Sequence, residues 1–172
     1  LRDYILEENN VTISWDANTF YQDALLDFQT DNNYVKLHQD NIPLQKNITI
    51  RMDMSNDTII NLEKAFIGRV DGRKIKHYST WKTDANVFQI RTKNLGTYQI
   101  FEDFDPPSID WISDKEEFDK TETMVAKISD ELSGVATYVG WINNKWALFE
   151  YDYKTKELFH HLKDGIAEEG IN

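Results

Sequence analysis

We predict an all-β protein of two consecutive immunoglobulin-like β-sandwich modules, residues 1–104 and 105–172, and three observations carry this prediction. Apolar and polar side chains alternate along many short segments of the 172-residue chain, which is the period of a half-buried strand. Turn-forming residues separate these segments roughly every 8–12 positions, as in β-sandwiches. The double proline Pro106-Pro107 then interrupts the pattern, and the module boundary is placed there.

The strands of the first module follow from the alternation. The first has Val11, Ile13 and Trp15 on one face. Residues 16–26 carry only a weak helical pattern and are interpreted as a short helix or a connecting loop. The dipeptide Asp71-Gly72 predicts a type I′ hairpin turn, because both central positions of that turn need positive φ. Further strands are predicted at 48–54, 65–70, 75–81, 87–92 and 97–101.

The second module begins after the prolines. Neither proline offers an N–H to a sheet, and each favours an extended conformation in the residue before it, so strand pairing should stop and resume near Ser108. Two apolar strands joined by Asn143-Asn144 then form a hairpin in which Trp141 and Trp146 face each other. The predicted core of this module is Ile109, Trp111, Val125, Ile128, Tyr138, Gly140, Ile142, Trp146 and Leu148.

Composition excludes several functional classes. A net charge of −11 and a pI near 4.7 argue against binding to nucleic acid and to anionic membranes, since both would repel the chain. No apolar run is long enough to span a bilayer. The chain has no cysteine, which removes disulfides, thiol catalysis and thiolate metal sites. It opens on Leu1 without a signal-like run, which is compatible with a piece of a longer protein.

Several segments resemble known proteins. Three lie in the second module: Asp105 to Ile109 at its entrance, the Asp-x-x-Ser-Gly loop within Ile128 to Val135, and the hairpin Trp141 to Asp152. Two lie upstream and are similar to the same proteins: Ile42 to Asn47 and Asn94 to Tyr98. The chain thus resembles the C-terminal, non-catalytic β-sandwich region of cell-envelope proteins of the Bacteroidetes that carry a lysostaphin-type zinc endopeptidase domain. The resemblance implies an extracytoplasmic location, in the periplasm, in the cell envelope or secreted.

The chain departs from that family in two respects. The paired zinc motifs of the peptidase are missing: His160 and Asp164 have the spacing of the first motif, but no His follows Asp164, and a zinc hydrolase needs three protein ligands. In the similar proteins another strand follows the position of Asn172. If the polypeptide ends there, the second module lacks its last strand and leaves an open edge, which a neighbouring molecule or an irregular segment would cover.

Candidate sites each have a structural alternative. His160 and His161 point to opposite faces of a strand, so a surface strand explains them better than a metal site, and His38 and His77 are isolated. Five carboxylates lie near the module boundary: Glu102, Asp103, Asp105, Asp110 and Asp114. They could bind calcium, but carboxylates on solvated loops explain them better. A sugar-stacking platform is an alternative for five tryptophans, which in small sandwiches more often fill the core: Trp15, Trp81, Trp111, Trp141 and Trp146.

We therefore predict no catalytic residue, metal ligand or cofactor. The leading hypothesis is a pair of non-catalytic spacer and interaction modules, whose partner is the protein's own upstream peptidase domain or another envelope protein. A glycan- or peptidoglycan-binding module using exposed aromatic rings is the first alternative, with a cell-wall glycan as partner. A glycosidase or esterase with unrecognised carboxylates is the second alternative, because 30 acidic residues supply many carboxylate pairs. No local context in the sequence marks one carboxylate of such a pair as having a raised pKa.

Overall fold

The fold is all-β, as predicted. The computed structural model describes residues 4–31, 33–56, 61–113, 115 and 117–168, in which half-buried antiparallel strands dominate and the one helical element is the 3₁₀ turn Leu162–Asp164. The described residues include no helix with the length and hydropathy needed to cross a bilayer. The chain divides into two compact units, Leu1–Phe104 and Asp105–Asn172.

In the part of the first unit that the structure describes there are ten strands. They are β1 Tyr4–Glu8, β2 Val11–Trp15, β3 Phe28–Asp31, β4 Tyr34–Leu37, β5 Ile48–Asp53, β6 Ala65–Asp71, β7 Lys74–His77, β8 Trp81–Asp84, β9 Val87–Thr92 and β10 Gly96–Glu102. They form two five-stranded antiparallel sheets, with strand orders β1-β2-β5-β9-β8 and β3-β4-β10-β6-β7. Side chains from both sheets pack into one hydrophobic core, which makes this unit a β-sandwich.

Strand β5 shows how the sequence specifies this core. Ile48, Ile50 and Met52 are fully buried, whereas the residues between them are only half-buried, because successive side chains of a strand point to opposite faces. The strand lies between β2 and β9, so both of its edges are paired. The alternation predicted for this segment is therefore confirmed.

Two polar side chains are buried in the first unit with their hydrogen bonds largely met. The Tyr98 hydroxyl donates to the carbonyl oxygen of Asn94 at 2.6 Å, in the manner of the tyrosine corner of β-sandwiches. Burial raises the pKa of Tyr98 far above its ordinary value. The Arg69 guanidinium donates to the Asp40 carboxylate and to the carbonyl oxygen of Leu95, which ties two loops to β6.

Two local predictions for this unit were wrong. The β6–β7 turn has Gly72 and Arg73 at its centre and only Gly72 has positive φ, as in a type II′ turn rather than the predicted type I′. The predicted strand 75–81 is two strands, since β7 ends at His77 and Trp81 begins β8 in the other sheet. Residues 16–26, interpreted as a short helix or a connecting loop, form a loop with one isolated bridge, between Phe20 and Leu44.

The described residues of the second unit form six strands. They are β11 Ser108–Trp111, β12 Thr123–Ser129, β13 Gly140–Ile142, β14 Lys145–Ala147, β15 Glu150–Asp152 and β16 Glu157–His161. Four of them form an antiparallel sheet in the order β11-β12-β16-β15, and β13 and β14 form a separate two-stranded sheet.

The turns of the second unit have the predicted local chemistry. Asn143 and Asn144 both have positive φ, 51° and 61°, as a type I′ turn requires, and Trp141 lies directly opposite Trp146. In the Asp-x-x-Ser-Gly loop, the Asp130 carboxylate accepts the backbone N–H groups of Leu132 and Gly134. These contacts stabilise the loop without exposing a reactive group.

Candidate binding groove

One face of the four-stranded sheet in the second unit is apolar. The register places Ile109 opposite Ile128, Trp111 opposite Ala126, and Ala126 opposite Leu158, so all five side chains lie on the same face. The other face carries mainly polar residues, among them Asp110, Lys127 and Glu157. A sheet with this pattern needs a covering layer on its apolar face.

The covering layer is incomplete. Ile128 is buried, with 3% of its surface exposed, whereas Ile109 and Trp111 on the same face are 58% and 55% exposed. The apolar face is therefore covered over β12 and β16 but open over β11. The prediction that these two residues belong to the core was wrong, as it was for Tyr138, Trp146 and Leu148, which are also exposed.

The β13–β14 hairpin supplies part of the cover, together with residues outside it such as Phe118, Phe149 and Ile166. Ile142 and Ala147 are buried and pack in a small cluster with Leu162. Gly140 lies on the same side of the hairpin, and a Cβ atom there would overlap the ring of Phe149 and lie 3.0 Å from the carbonyl oxygen of Ala147. The hairpin thus approaches Phe149 closely because position 140 has no side chain.

A groove of about 1330 Å³ runs along β13. Its wall on that side is the continuous segment 137–143, and no residue of β14 lines it. Its floor is formed by the apolar side chains of β11 and β12, including Ile109, Trp111 and Met124. The groove therefore lies beside the open edge of β13 and above the uncovered part of the sheet.

The rim of the groove includes the loop between β11 and β12. Lys115 donates to the Glu122 carboxylate at 2.5 Å, and the Asp119 backbone N–H donates to the same carboxylate at 2.9 Å. These two hydrogen bonds lower the pKa of Glu122. The Thr121 backbone and hydroxyl groups similarly lower the pKa of Asp119, so both carboxylates are charged at neutral pH.

The histidines do not form a common site. His160 is buried, contrary to the predicted surface strand, and its Nδ1 donates to the carbonyl oxygen of Leu148 at 2.8 Å. Its Nε2 has no hydrogen-bond partner in the described part of the chain and lies 3.6 Å from Asp164. His161 contacts the Thr123 hydroxyl, and His38 contacts Asp27. None of these histidine contacts brings together the three protein ligands that a metal site needs.

The boundary carboxylates have separate local roles within each unit. In the first unit, Glu102 accepts the backbone N–H of Asn61, and the buried Asp103 donates its own N–H to the carbonyl oxygen of Lys64. In the second unit, Asp110 is exposed on β11, and Asp114 lies outside the described residues. Among the residues that are described, no three His, Cys, Asp or Glu side chains are grouped so that they could hold a metal ion.

Four of the five tryptophans lie outside the core, contrary to the interpretation favoured from the sequence, whereas Trp15 packs against the core of the first unit. Trp15 is half-buried between Tyr4 and Phe20. The remaining four are exposed: Trp81, Trp111, Trp141 and Trp146. Trp141 and Trp146 are 62% and 58% exposed and lie side by side on the outer face of the hairpin, because they form one cross-strand pair.

The groove itself was not predicted from the sequence. Alternation along β11 and β12 correctly marks the apolar face, but it carries no information on which strands cover that face. A usable signal was present between Ser129 and Glu150, where the sequence holds one hairpin, which is narrower than the four-stranded sheet it faces.

Comparison with known proteins gives one match. The model of the Zu5-like domain family matches residues 1–103, which is the first unit without its last residue. No curated protein and no solved structure matches the chain.

Proposed function

The chain belongs to the Zu5-like domain family through residues 1–103, and from this premise we propose that it is a non-catalytic pair of β-modules that binds a polypeptide partner. The observation that carries the proposal is the open apolar groove of the second unit. Exposed apolar surface rimmed by polar residues is a common feature of protein interaction sites. The chemistry of such a groove is recognition by burial of apolar area.

The cellular context belongs to the same proposal. The residues from Asp105 to Ile109, the Asp130 loop and the hairpin ending at Asp152 support an origin in a cell-envelope protein of the lysostaphin-type peptidase family of the Bacteroidetes. In that setting the modules lie outside the cytoplasm and hold or present a peptidase domain or another envelope protein. The first unit is then a rigid spacer, since its core is closed between two complete sheets.

A glycan-binding role is the second candidate, and the Trp141–Trp146 pair favours it. Two adjacent exposed indoles offer flat apolar faces of the kind that sugar rings stack on. They lie on the outer face of the hairpin, opposite the side that bears Gly140 and Ile142. The two candidate functions therefore depend on different side chains and can be separated by substitution.

The proposed function predicts that Ile109→Asn weakens polypeptide binding. Linear peptides selected from a random display library on the whole chain should lose affinity by at least about tenfold, which corresponds to about 1.4 kcal/mol, because the substitution puts a polar group on the groove floor. The matched control is Ile5→Asn in the first unit, where the isoleucine is similarly exposed at 61% and affinity should not change.

The same preparations separate the alternatives. Retention on purified peptidoglycan that is lost in Trp141→Ala but kept in Ile109→Asn would favour the glycan candidate. Hydrolysis of peptidoglycan or of a chromogenic glycoside or ester panel would contradict a non-catalytic role. Failure to select any peptide that is sensitive to Ile109→Asn would contradict polypeptide binding through the groove.

A further inference from the structure

Among the residues that the structure describes, β13 pairs with β14 alone, and its other edge has backbone groups that can pair with another strand. The two-residue turn at Asn143 and Asn144 makes Ile142 and Lys145 a hydrogen-bonded pair. In an antiparallel ladder such pairs alternate with non-hydrogen-bonded ones, so Trp141 points its backbone N–H and C=O away from β14. These groups face the groove, because the groove is lined by 137–143 and by no residue of β14.

The uncovered strip of the four-stranded sheet is wide enough for added strands. In the described part of the second unit the four-stranded sheet faces a two-stranded one. Because neighbouring strands lie about 4.8 Å apart, the described strands leave a strip of roughly 10 Å without a second layer. Ile109 and Trp111 mark this strip by their exposure. An extended segment placed beside β13 would lie directly above them.

The size of the groove favours a polypeptide over a small ligand. Pockets for drug-sized molecules are about 300–1,000 Å³, and this groove, at about 1330 Å³, is larger. An added strand presents alternate side chains to the groove and the others to solvent. The occupant therefore needs large apolar residues at every second position.

The charge that favours one kind of occupant lies outside the groove lining, where two lysines, Lys115 and Lys120, balance Glu117 and Glu168. Residues 105–172 contain 15 acidic and 7 basic side chains, a net charge of −8, out of −11 for the whole chain. A basic strand is attracted to this unit, and an acidic one is repelled. A second copy of the same unit, also at −8, is disfavoured as the occupant for that reason.

We propose, building on the proposed function, that the groove binds an extended basic segment of a partner protein, which adds to β13 as a β-strand and inserts alternate apolar side chains above β11 and β12. The partner's backbone pairs with Trp141, which sets the register of the added strand. Its apolar side chains contact Ile109 and Trp111, and its basic side chains stay in solvent near the acidic surface of the second unit.

The probe is a synthetic peptide of about nine residues, within the usual strand length, with valine or isoleucine at alternate positions and lysine between them. One comparator replaces each lysine by glutamate, and a second has the same composition with its apolar residues at helical spacing. Affinity for the whole chain is measured by fluorescence anisotropy. Amide hydrogen exchange at Trp141 is followed by NMR with and without peptide.

The lysine peptide should bind and slow exchange of the Trp141 amide, and both comparators should bind at least about tenfold more weakly. Trp141→Pro should abolish binding, because it removes the outward N–H while leaving the hydrogen-bonded pairs of the hairpin intact. The matched control is Trp146→Pro, whose N–H lies on the far edge of the hairpin, and it should keep affinity within about threefold of the native chain.

Three outcomes would overturn the inference. Peptides that bind the groove without protecting the Trp141 amide, or that tolerate Trp141→Pro, would contradict strand addition and leave the proposed function intact. Protection of this amide in the peptide-free chain together with dimerisation in sedimentation would identify a second copy as the occupant. Equal affinity of the lysine and glutamate peptides would contradict the proposal that the bound segment is basic.

Discussion

Phe88→Ala is expected to lower the free energy of unfolding of the first unit by about 3–5 kcal/mol, the usual range for a buried phenylalanine. Phe88 has no exposed surface and belongs to the core shared by both five-stranded sheets. Its neighbours on β5 and β9 are also fully buried, so the cavity cannot fill with water without exposing apolar surface. The loss should be confined to the first unit.

This prediction can be measured by urea denaturation followed through the amide NMR signals of each unit separately. The amides of β5 should disappear at lower urea in the variant, and those of β12 should not change. Phe104→Ala is the matched control, because Phe104 is 60% exposed, and its effect should stay within about 0.5 kcal/mol. A loss below about 1 kcal/mol for Phe88→Ala would contradict the closed core.

Gly140→Ala is expected to destabilise the second unit by about 1–3 kcal/mol, as overpacking usually does. The added Cβ would overlap the Phe149 ring. That ring cannot move freely, since it packs against the buried imidazole of His160 at 5.1 Å between ring centres. The hairpin must therefore shift away from the sheet, and the contacts of Ile142 with the core cluster weaken.

A double-mutant cycle tests this mechanism. In a Phe149→Ala background the same Gly140→Ala change should have little effect on the free energy of unfolding, because the overlapping ring is gone. Stability is measured by urea denaturation of each of the four proteins. An equal loss in both backgrounds would show that the glycine is needed for its backbone rather than for the approach of Phe149.

Local chemistry explains which parts of the fold could be predicted from the sequence. The alternation of Ile48, Ile50 and Met52 specifies a strand with one buried face, and the Asn143-Asn144 turn places Trp141 opposite Trp146. Both depend on residues that are close in sequence. Backbone preferences and side-chain periodicity are sufficient there.

The errors arose where a non-local partner decides the outcome. The predicted strand 75–81 breaks because the Thr80 hydroxyl, in place of a strand backbone, accepts the backbone N–H of Ile67 at 2.9 Å, and the chain then passes to the other sheet. The short strands β1, β3 and β4 were not predicted. They have four or five residues each, too few for a clear periodic signal.

The candidate site shows the same limit. Ile109, Trp111 and Ile128 were predicted as core residues and do lie on one face, whereas Val125, also predicted, lies on the other, and burial on either face depends on the opposing layer. Because the hairpin covers only part of that face, Ile128 is buried and Ile109 is exposed. A core predicted from periodicity alone therefore included residues that instead line the groove.

Thiol labelling tests the central claim, that the groove of the second unit is open in the free chain. The chain contains no cysteine, so Ile109→Cys and Ile128→Cys each introduce a single reactive group on the same face of the same sheet. We predict that the thiol at 109 reacts with a maleimide about as fast as one introduced by Ile5→Cys in the first unit, and that the thiol at 128 reacts only through local opening. A thiol at 109 that reacts as slowly as the one at 128 would contradict the open groove and the function proposed for it.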